Sequence, residues 1–561
     1  MMGTISDKLM RIINTKEDIR QALISKGYDV PTSIPFKEYA KMISDLPCRV
    51  DSFPDIEGIV ARYSALGLTN EQMAANPVWV DKTGNGHDIQ LKNFSWKGMS
   101  GVGGVSTYYD KYEFTPDKYY MVAVSSGTQH AQFTFKVTGL VDGNTLSLAD
   151  TSSPSNVYGK WTQDGIYTVD IDVINTDRSL YFYNGISAIR GEFTIEILPL
   201  YPGALVFDGV DDYGVCENFP ILNKEKGYTV VVLRRFIYDG VDRQYALMTN
   251  ADPNGIKDGF ILELVSPNSN KYTDSFGSNT ILSGFEKSVF TYQTSKYYNG
   301  APIKIGEKLA FDKIAVGTRF YPNYDPANVA IWEICILDHD ATEEELTKIK
   351  NYFVKTYPWL FPDQAWTVVG KTNEDEDRAT IANITGNGND LVLSNFGFAE
   401  GSGYNEEGEY AGYLVTDGVD DRVQDSSFKL NKDWTLVGEW VFLNQKATNA
   451  GITKPFSFVV YNRTTGLSLF INSETSGITI ENVKSIKAIC SDGRIYLDDW
   501  SEMLISKDQD ITSSTSVLSI GFNGTAYTQM AFKNLGIYNN QILSKDDCIK
   551  AYNYLQTLKS K

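Results

Sequence analysis

The chain has 561 residues, of which 42% are hydrophobic and 22% charged, a globular composition with apolar material for about three or four cores. A formal charge of −19 and a pI near 4.7 repel polyanions, so no nucleic acid partner is expected. No apolar run approaches the roughly 18 residues of a membrane span, so membrane insertion is not expected. The opening Met1-Met2-Gly3-Thr4-Ile5-Ser6-Asp7 lacks the basic and apolar regions of a signal peptide. The five cysteines are dispersed, with no CxxC pair, which predicts buried free thiols rather than a disulfide framework or a zinc site.

In chain order, residues 1–50 read as a helical module. Ser6 caps a helix carrying Leu9, Ile12 and Ile13. Ile19 and Leu23 share one face of a second helix, and Phe36, Tyr39 and Ile43 one face of a third. Each is too short to stand alone in water, so the module needs a partner surface. From residue 51 onward, short runs rich in Val, Ile, Tyr, Phe and Thr alternate with Gly/Asn/Asp turns, the pattern of antiparallel sandwiches. Two further helices are expected as amphipathic covers. One is Thr342–Tyr357, with Leu346, Ile349 and Phe353 on one face; the other is Ser544–Leu558, with Ile549, Tyr552 and Leu555.

An internal repeat organises this region. Thr83-Gly84-Asn85-Gly86-His87-Asp88 returns as Thr385-Gly386-Asn387-Gly388-Asn389-Asp390, and Asp208-Gly209-Val210-Asp211-Asp212 returns as Asp417-Gly418-Val419-Asp420-Asp421. The first landmark is displaced by 302 residues and the second by 209, so copy one carries 93 extra residues between them. That stretch contains alternating runs such as Gln132–Val137 and Gly191–Ile197, the pattern of half-buried strands, and reads as an inserted small sandwich. The expected organisation is residues 1–50, a helical module; 51–104 with 200–360, a first sandwich; 105–199, the insert; and 361–561, a second sandwich.

The segments Trp79-Val80-Asp81-Lys82-Thr83-Gly84-Asn85-Gly86-His87-Asp88 and Phe207-Asp208-Gly209-Val210-Asp211-Asp212-Tyr213 resemble the laminin-G-like branch of the concanavalin A-like superfamily. Copy two is more worn, with Thr416 for Phe207 and Arg422 for Tyr213. The resemblance implies a mainly β fold of tandem concanavalin A-like jelly-roll sandwiches. The stretch Leu9 to Leu46 resembles a module of structural proteins of tailed bacteriophages, including the crAss-like phages of gut bacteria, which often join it to laminin-G-like domains. It implies docking to other virion proteins through Leu9, Ile12, Ile13, Ile19, Leu23, Phe36, Tyr39 and Ile43.

Three groups of residues invite functional readings. Trp96, Trp161 and Trp500 stand in polar surroundings, where an exposed ring stacks on a sugar face; Trp332, Trp434 and Trp440 stand in apolar strand patterns and read as core. Asp208, Asp211 and Asp212, with Asp417, Asp420 and Asp421, are hard oxygen donors suited to calcium. The competing reading is a tight turn with Asp bonding to nearby amides. No other cofactor is expected. With three histidines, no G-x-S-x-G elbow and no E-x-D-x-x-E strand, the expectation is a non-enzyme.

The expected function is a bacteriophage virion structural protein, a tail fibre, head fibre or surface decoration, folded in the host bacterial cytoplasm. Such a protein would display lectin-like domains to a host-surface glycan or protein, as a homo-oligomer for which a trimer is the natural arrangement. The alternatives are a bacterial cell-surface glycan-binding adhesin and, behind it, a polysaccharide-degrading enzyme.

Overall fold

The computed structural model describes Lys16 and residues 53–560, except 116–118, 122–129, 141–143, 151–155, 173–179, 185–191, 223–226, 238–243, 251–260, 266–271, 275–288, 299–300, 303–311, 319–325, 387, 407, 409, 426–427, 444–448, 455–457, 464–465, 472–477, 481–484, 505–515 and 523–525. The chain divides into two compact units, Met1–Asp55 and Ile56–Lys561. The predicted docking residues Leu9, Ile12, Ile13, Ile19, Leu23, Phe36, Tyr39 and Ile43 lie outside the described residues.

In the second unit the alternating runs are strands whose apolar side chains face inward. Ile89–Lys92 and Lys111–Phe114 alternate buried and exposed positions, as one-sided strands do. The two long strands Asn328–Leu337 and Gln529–Asn539 are buried almost throughout, because each lies between an opposing sheet and other packed elements.

Six antiparallel sheets are formed by the described residues. The first sandwich pairs a sheet centred on Asn328–Leu337 with one running from Tyr272–Asp274 to Val78–Trp79. The second pairs a sheet centred on Gln529–Asn539 with one running from Thr380–Ile381 to Ile478–Ile480. Two four-stranded sheets drawn from Lys111–Phe114 through Phe193–Ile197 form a smaller sandwich that interrupts the first one in sequence. The architecture is therefore mainly β: two large antiparallel sandwiches in tandem, the first carrying an inserted small one. Each has its own core, around Phe207 and Ile334 in the first, Phe133 and Phe182 in the insert, and Trp440 and Phe532 in the second.

The repeat extends to strand register. Phe207 faces Val329 as Thr416 faces Met530, and Leu205 faces Ile331 as Leu414 faces Phe532. A β-bulge interrupts the central pairing at Leu233/Arg234 and again at Glu439/Trp440. At the rung beside each bulge sits one buried carboxylate, on opposite strands in the two copies. It is Glu333 opposite Leu233 in the first and Glu439 opposite Asn534 in the second.

Among the described residues three α-helices decorate this frame. The short α1 (Asn70–Ala75) precedes strand Val78–Trp79. Helix α2 (Glu343–Thr356) begins with a Thr342/Glu345 capping box and buries Ile349 and Phe353 on one face. Helix α3 (Lys545–Gln556), capped by Ser544, is different. It buries Cys548, Ala551, Tyr552, Asn553, Tyr554 and Leu555, whereas Ile549 of the expected stripe is only half-buried. The one-sided cover predicted here is corrected to an engulfed helix, because the other sandwiches close over its outer face. Gln132 of the insert donates through Nε2 to Gln556 Oε1 (2.9 Å), and Asn553 Nδ2 donates to the Pro199 carbonyl (3.4 Å). On its inner face Leu555 sits over Gly536, where a Cβ would approach its methyl at 3.1 Å.

Cys216, Cys335, Cys490 and Cys548 are free and buried, and Trp332, Trp434 and Trp440 are core residues, both as expected. No helix among the described residues is long and apolar enough to cross a membrane.

Candidate functional site

Two chain crossings between the sheets of the first sandwich come together at one edge. Strand Leu205–Asp208 leaves one sheet, and after Gly209–Asp212 the chain enters the other as Tyr213–Cys216. In the opposite sense, Ile89–Lys92 passes through residues 93–100 to Gly101–Val102. The crossings are stitched together: Asn93 Nδ2 donates to the Asp211 carbonyl (3.0 Å), and Ser100 Oγ donates to Asp212 Oδ1 (3.0 Å). Gly209 makes the turn at φ 74°, and the Asp208 amide donates back to Asp212 Oδ2 (3.0 Å).

The second copy repeats these contacts atom for atom. Asn395 Nδ2 donates to the Asp420 carbonyl (3.0 Å), Ser402 Oγ to Asp421 Oδ1 (3.0 Å), and the Asp417 amide to Asp421 Oδ2 (2.8 Å). One ligand atom from each of Asp208, Asp211 and Asp212 lies within 4.8 Å of the others, as does one from each of Asp417, Asp420 and Asp421. Either triad therefore has the spacing to hold a hard cation such as calcium. Their present bonding is that of a turn. Both oxygens of Asp212 accept hydrogen bonds, and the Val210 amide occupies Asp208 Oδ1 (2.8 Å). Burial, reinforced by the neighbouring Asp208 charge, pushes the Asp212 carboxyl up to about 7; burial likewise lifts Asp421 to about 6.

The stitched loop carries an aromatic ring on a constrained backbone. Trp96 sits at φ 53°, a left-handed conformation that bulky residues rarely adopt, and Phe398 occupies the same place at φ 50°. Trp96 is half-buried and stacks on Phe94, with ring centroids 4.8 Å apart. The adjoining Lys97 places its ammonium 4.6 Å from the ring centre of Tyr108. Tyr108 and Tyr109 meet edge to face at 4.7 Å and are 40% and 43% exposed. These tyrosines and Lys97 were not singled out from the sequence. The signal was present, as an aromatic pair flanked by Ser106, Thr107, Asp110 and Lys111, but it falls where the first sandwich gives way to its insert.

The three candidate tryptophans do not converge; each belongs to a different sandwich. Trp161 is half-buried against Phe135 and Tyr167. Trp500 is a correction: it is 1% exposed, packed on Tyr496 and Tyr552, and offers no face for stacking. Its polar neighbours suggested exposure, but its φ of 61° in the turn after Arg494–Leu497 swings the ring inward.

No family model matches the chain, and no curated protein matches it. Among solved structures it is similar to the botulinum neurotoxin serotype D binding domain, at 12% identity over 61% of this chain and 88% of that one, with a TM-score of 0.24. It is also similar to a botulinum neurotoxin type C structure (10% identity, 86% and 98% covered, TM-score 0.25). A third is Trypanosoma rangeli sialidase in complex with sialic acid (10% identity, 73% and 68% covered, TM-score 0.24). Likenesses at this level assign no function.

Proposed function

We propose that this chain is a structural protein of a tailed-bacteriophage virion, a tail fibre, head fibre or surface decoration. It docks through residues 1–50 and presents its sandwiches, in several copies per particle, to glycans of the host surface. The observation that carries the attachment half is the platform of exposed Tyr108 and Tyr109 with Lys97, which follows Trp96 on the loop fixed by Asn93 and Ser100. Exposed flat rings with polar tips suit the C–H faces of sugars, and the pinned loop holds Lys97 against them at little entropic cost. Many weak sites on one particle add up to firm attachment. The docking half rests on the phage-like pattern of Leu9 to Leu46. The reading is non-catalytic.

Immunogold electron microscopy on purified phage, with antibody against residues 361–561, tests it. Gold at the capsid or tail is expected, with loss of incorporation when residues 1–50 are deleted. Tyr108→Ala with Tyr109→Ala should then lower adsorption to host cells at least tenfold while incorporation stays normal. Labelling confined to a bacterial envelope would replace this reading with the adhesin.

A further inference from the structure

Two of the buried thiols meet. Cys490 ends strand Ile486–Cys490, and Cys548 lies one turn into α3; neither has exposed surface. The Cys548 thiol hydrogen-bonds to the Cys490 sulfur. Cys490 Sγ also lies 4.0 Å from the Leu543 carbonyl and 3.9 Å from Thr435 Oγ1, and Arg494 Nη2 donates to that same carbonyl at 3.2 Å. The first sandwich holds its thiols differently. Cys216 donates to the Asn218 carbonyl (3.7 Å), and burial pushes Cys335 up to about 12.

In the first sandwich the same corner is built without sulfur. Thr229 Oγ1 donates to the His339 carbonyl (2.8 Å) and accepts the Ala341 amide (2.7 Å). Thr435 Oγ1 repeats this with the Gln541 carbonyl (3.0 Å) and the Leu543 amide (2.9 Å). Thr229 faces Thr294 as Thr435 faces Cys490. The Leu346 amide donates to the carbonyl of the cap Thr342 (3.0 Å), as the Cys548 amide does to that of Ser544 (2.8 Å). The two cysteines therefore stand where the first copy has Thr294 and Leu346. Filling either position needs no sulfur at the other; in the second copy both are cysteine at once, and they touch.

The contact polarises the pair. Donation from Cys548, helped by the Arg494 charge, holds the Cys490 thiol below the ordinary range in spite of its burial. Burial and the same hydrogen bond hold Cys548 above it. Thiolate is the attacking form, so Cys490 is the nucleophile and Cys548 the resolving thiol.

We propose that Cys490 and Cys548 are a redox latch, which closes as a disulfide and fastens α3 to the second sandwich. The oxidant is a low-molecular-weight disulfide such as glutathione disulfide. The Cys490 thiolate attacks one of its sulfurs, forming a mixed disulfide and releasing one glutathione thiolate. Cys548 then loses its proton, attacks the Cys490 sulfur and releases the second. The two glutathione thiolates take up the two protons that the cysteines gave up, so two protein thiols become one disulfide as glutathione disulfide is reduced to two thiols. The reagent enters when the first turn of α3 opens, a local event far smaller than global unfolding. The closed latch constrains the unfolded chain and holds down the helix whose other end meets the insert through Gln556. This inference is independent of the attachment reading.

Incubation of the full chain with glutathione disulfide, then alkylation in denaturant and peptide mapping by mass spectrometry without reduction, tests it. One peptide pair should be joined through Cys490 and Cys548, lighter by two hydrogens than the reduced pair, with Cys216 and Cys335 still alkylated. The oxidised protein should unfold several degrees higher, exchange amides more slowly across the first turn of α3, and revert with dithiothreitol. Cys548→Leu, which copies Leu346, should leave Cys490 as a lasting glutathione adduct. Cys490→Thr, which copies Thr294, should leave Cys548 unmodified. The first measurement needs no variant. Free thiols at both positions after oxidation, a cross-link through another pair of cysteines in place of this one, or a Cys490–Cys548 cross-link that leaves exchange at α3 unchanged would each overturn the latch.

Discussion

At Asp212 the carboxylate is fully buried, and its two oxygens each accept a hydrogen bond, from Ser100 Oγ and from the Asp208 amide. Its folded pKa of about 7 lies above the ordinary 3.8, so the folded protein holds this proton more tightly than the unfolded chain does. The resulting stability is complete below about pH 3.8 and is lost as the pH rises through about 7. Compared with Asp212→Asn, the unmodified protein should therefore lose of the order of 4 kcal/mol between pH 4 and pH 7, at about 1.4 kcal/mol per unit. Urea melts of both proteins at each pH measure the difference. If calcium occupies the triad, millimolar calcium at pH 7 will erase that loss, and the turn will have to be read as a cation site. The aromatic residues make a second contrast. Trp500→Ala should cost about 3–5 kcal/mol, as removal of a large core ring does. Trp96→Ala, from a half-buried site, should cost distinctly less and act mainly on glycan binding. Denaturant midpoints beside a glycan-array readout would separate the two. Chemistry at this scale was legible where residue type alone decides, as for the core Trp332, Trp434 and Trp440. It was not legible at Trp500, where one backbone angle reverses what Asp498, Asp499 and Glu502 suggest, nor at Tyr108 and Tyr109, whose exposure depends on the fold around them.

Helices α2 and α3 close equivalent sheets, yet they meet the buried carboxylates differently. Glu333 receives Arg62 through Nε and Nη2, both at 3.1 Å, together with the Tyr352 and Tyr357 hydroxyls at 3.1 and 2.9 Å. Glu439, on the neighbouring strand of the equivalent rung, receives Lys487 Nζ at 2.6 Å and the Tyr552 hydroxyl of α3. Breaking a buried pair strands a charge, so Lys487→Met should cost about 3–5 kcal/mol. Tyr552→Phe leaves the pair intact and removes the hydroxyl's bond to Glu439 and the one it accepts from Lys487 at 3.1 Å, for about 1.5–3 kcal/mol. Calorimetric melts of the two variants would check this ranking; the reverse order would mean that the helix contact, not the ion pair, anchors this face. The existence of both helices could be read from the spacing of Ile349 with Phe353 and of Tyr552 with Leu555. Burial of Asn553 and Tyr554 could not, because the groups that cover them come from residues more than three hundred positions away.

Across the whole molecule, the 93-residue displacement located the insert because a repeat fixes spacing independently of packing. What it cannot express is that the insert leans on the far end of the chain. Its base is narrow: the Leu200 amide donates to the Gly104 carbonyl (2.9 Å) and the Tyr201 amide to the Gly103 carbonyl (2.8 Å), so entry and exit lie side by side. Residues 106–198 can therefore be replaced by a short glycine turn without straining the first sandwich. If the sandwiches were independent beads, this excision would leave α3 untouched. Instead it removes Gln132 from Gln556 and Thr168 from the Tyr552 hydroxyl. A helix of twelve residues held mainly by tertiary contacts cannot lose one side without fraying. The excised protein should keep its first-sandwich amide protection, exchange faster across Lys545–Gln556, and melt several degrees lower, with the second sandwich unfolding first. Hydrogen exchange read by mass spectrometry resolves those segments. Unchanged protection at α3 would show that the second sandwich holds its own helix and that the insert is a passenger.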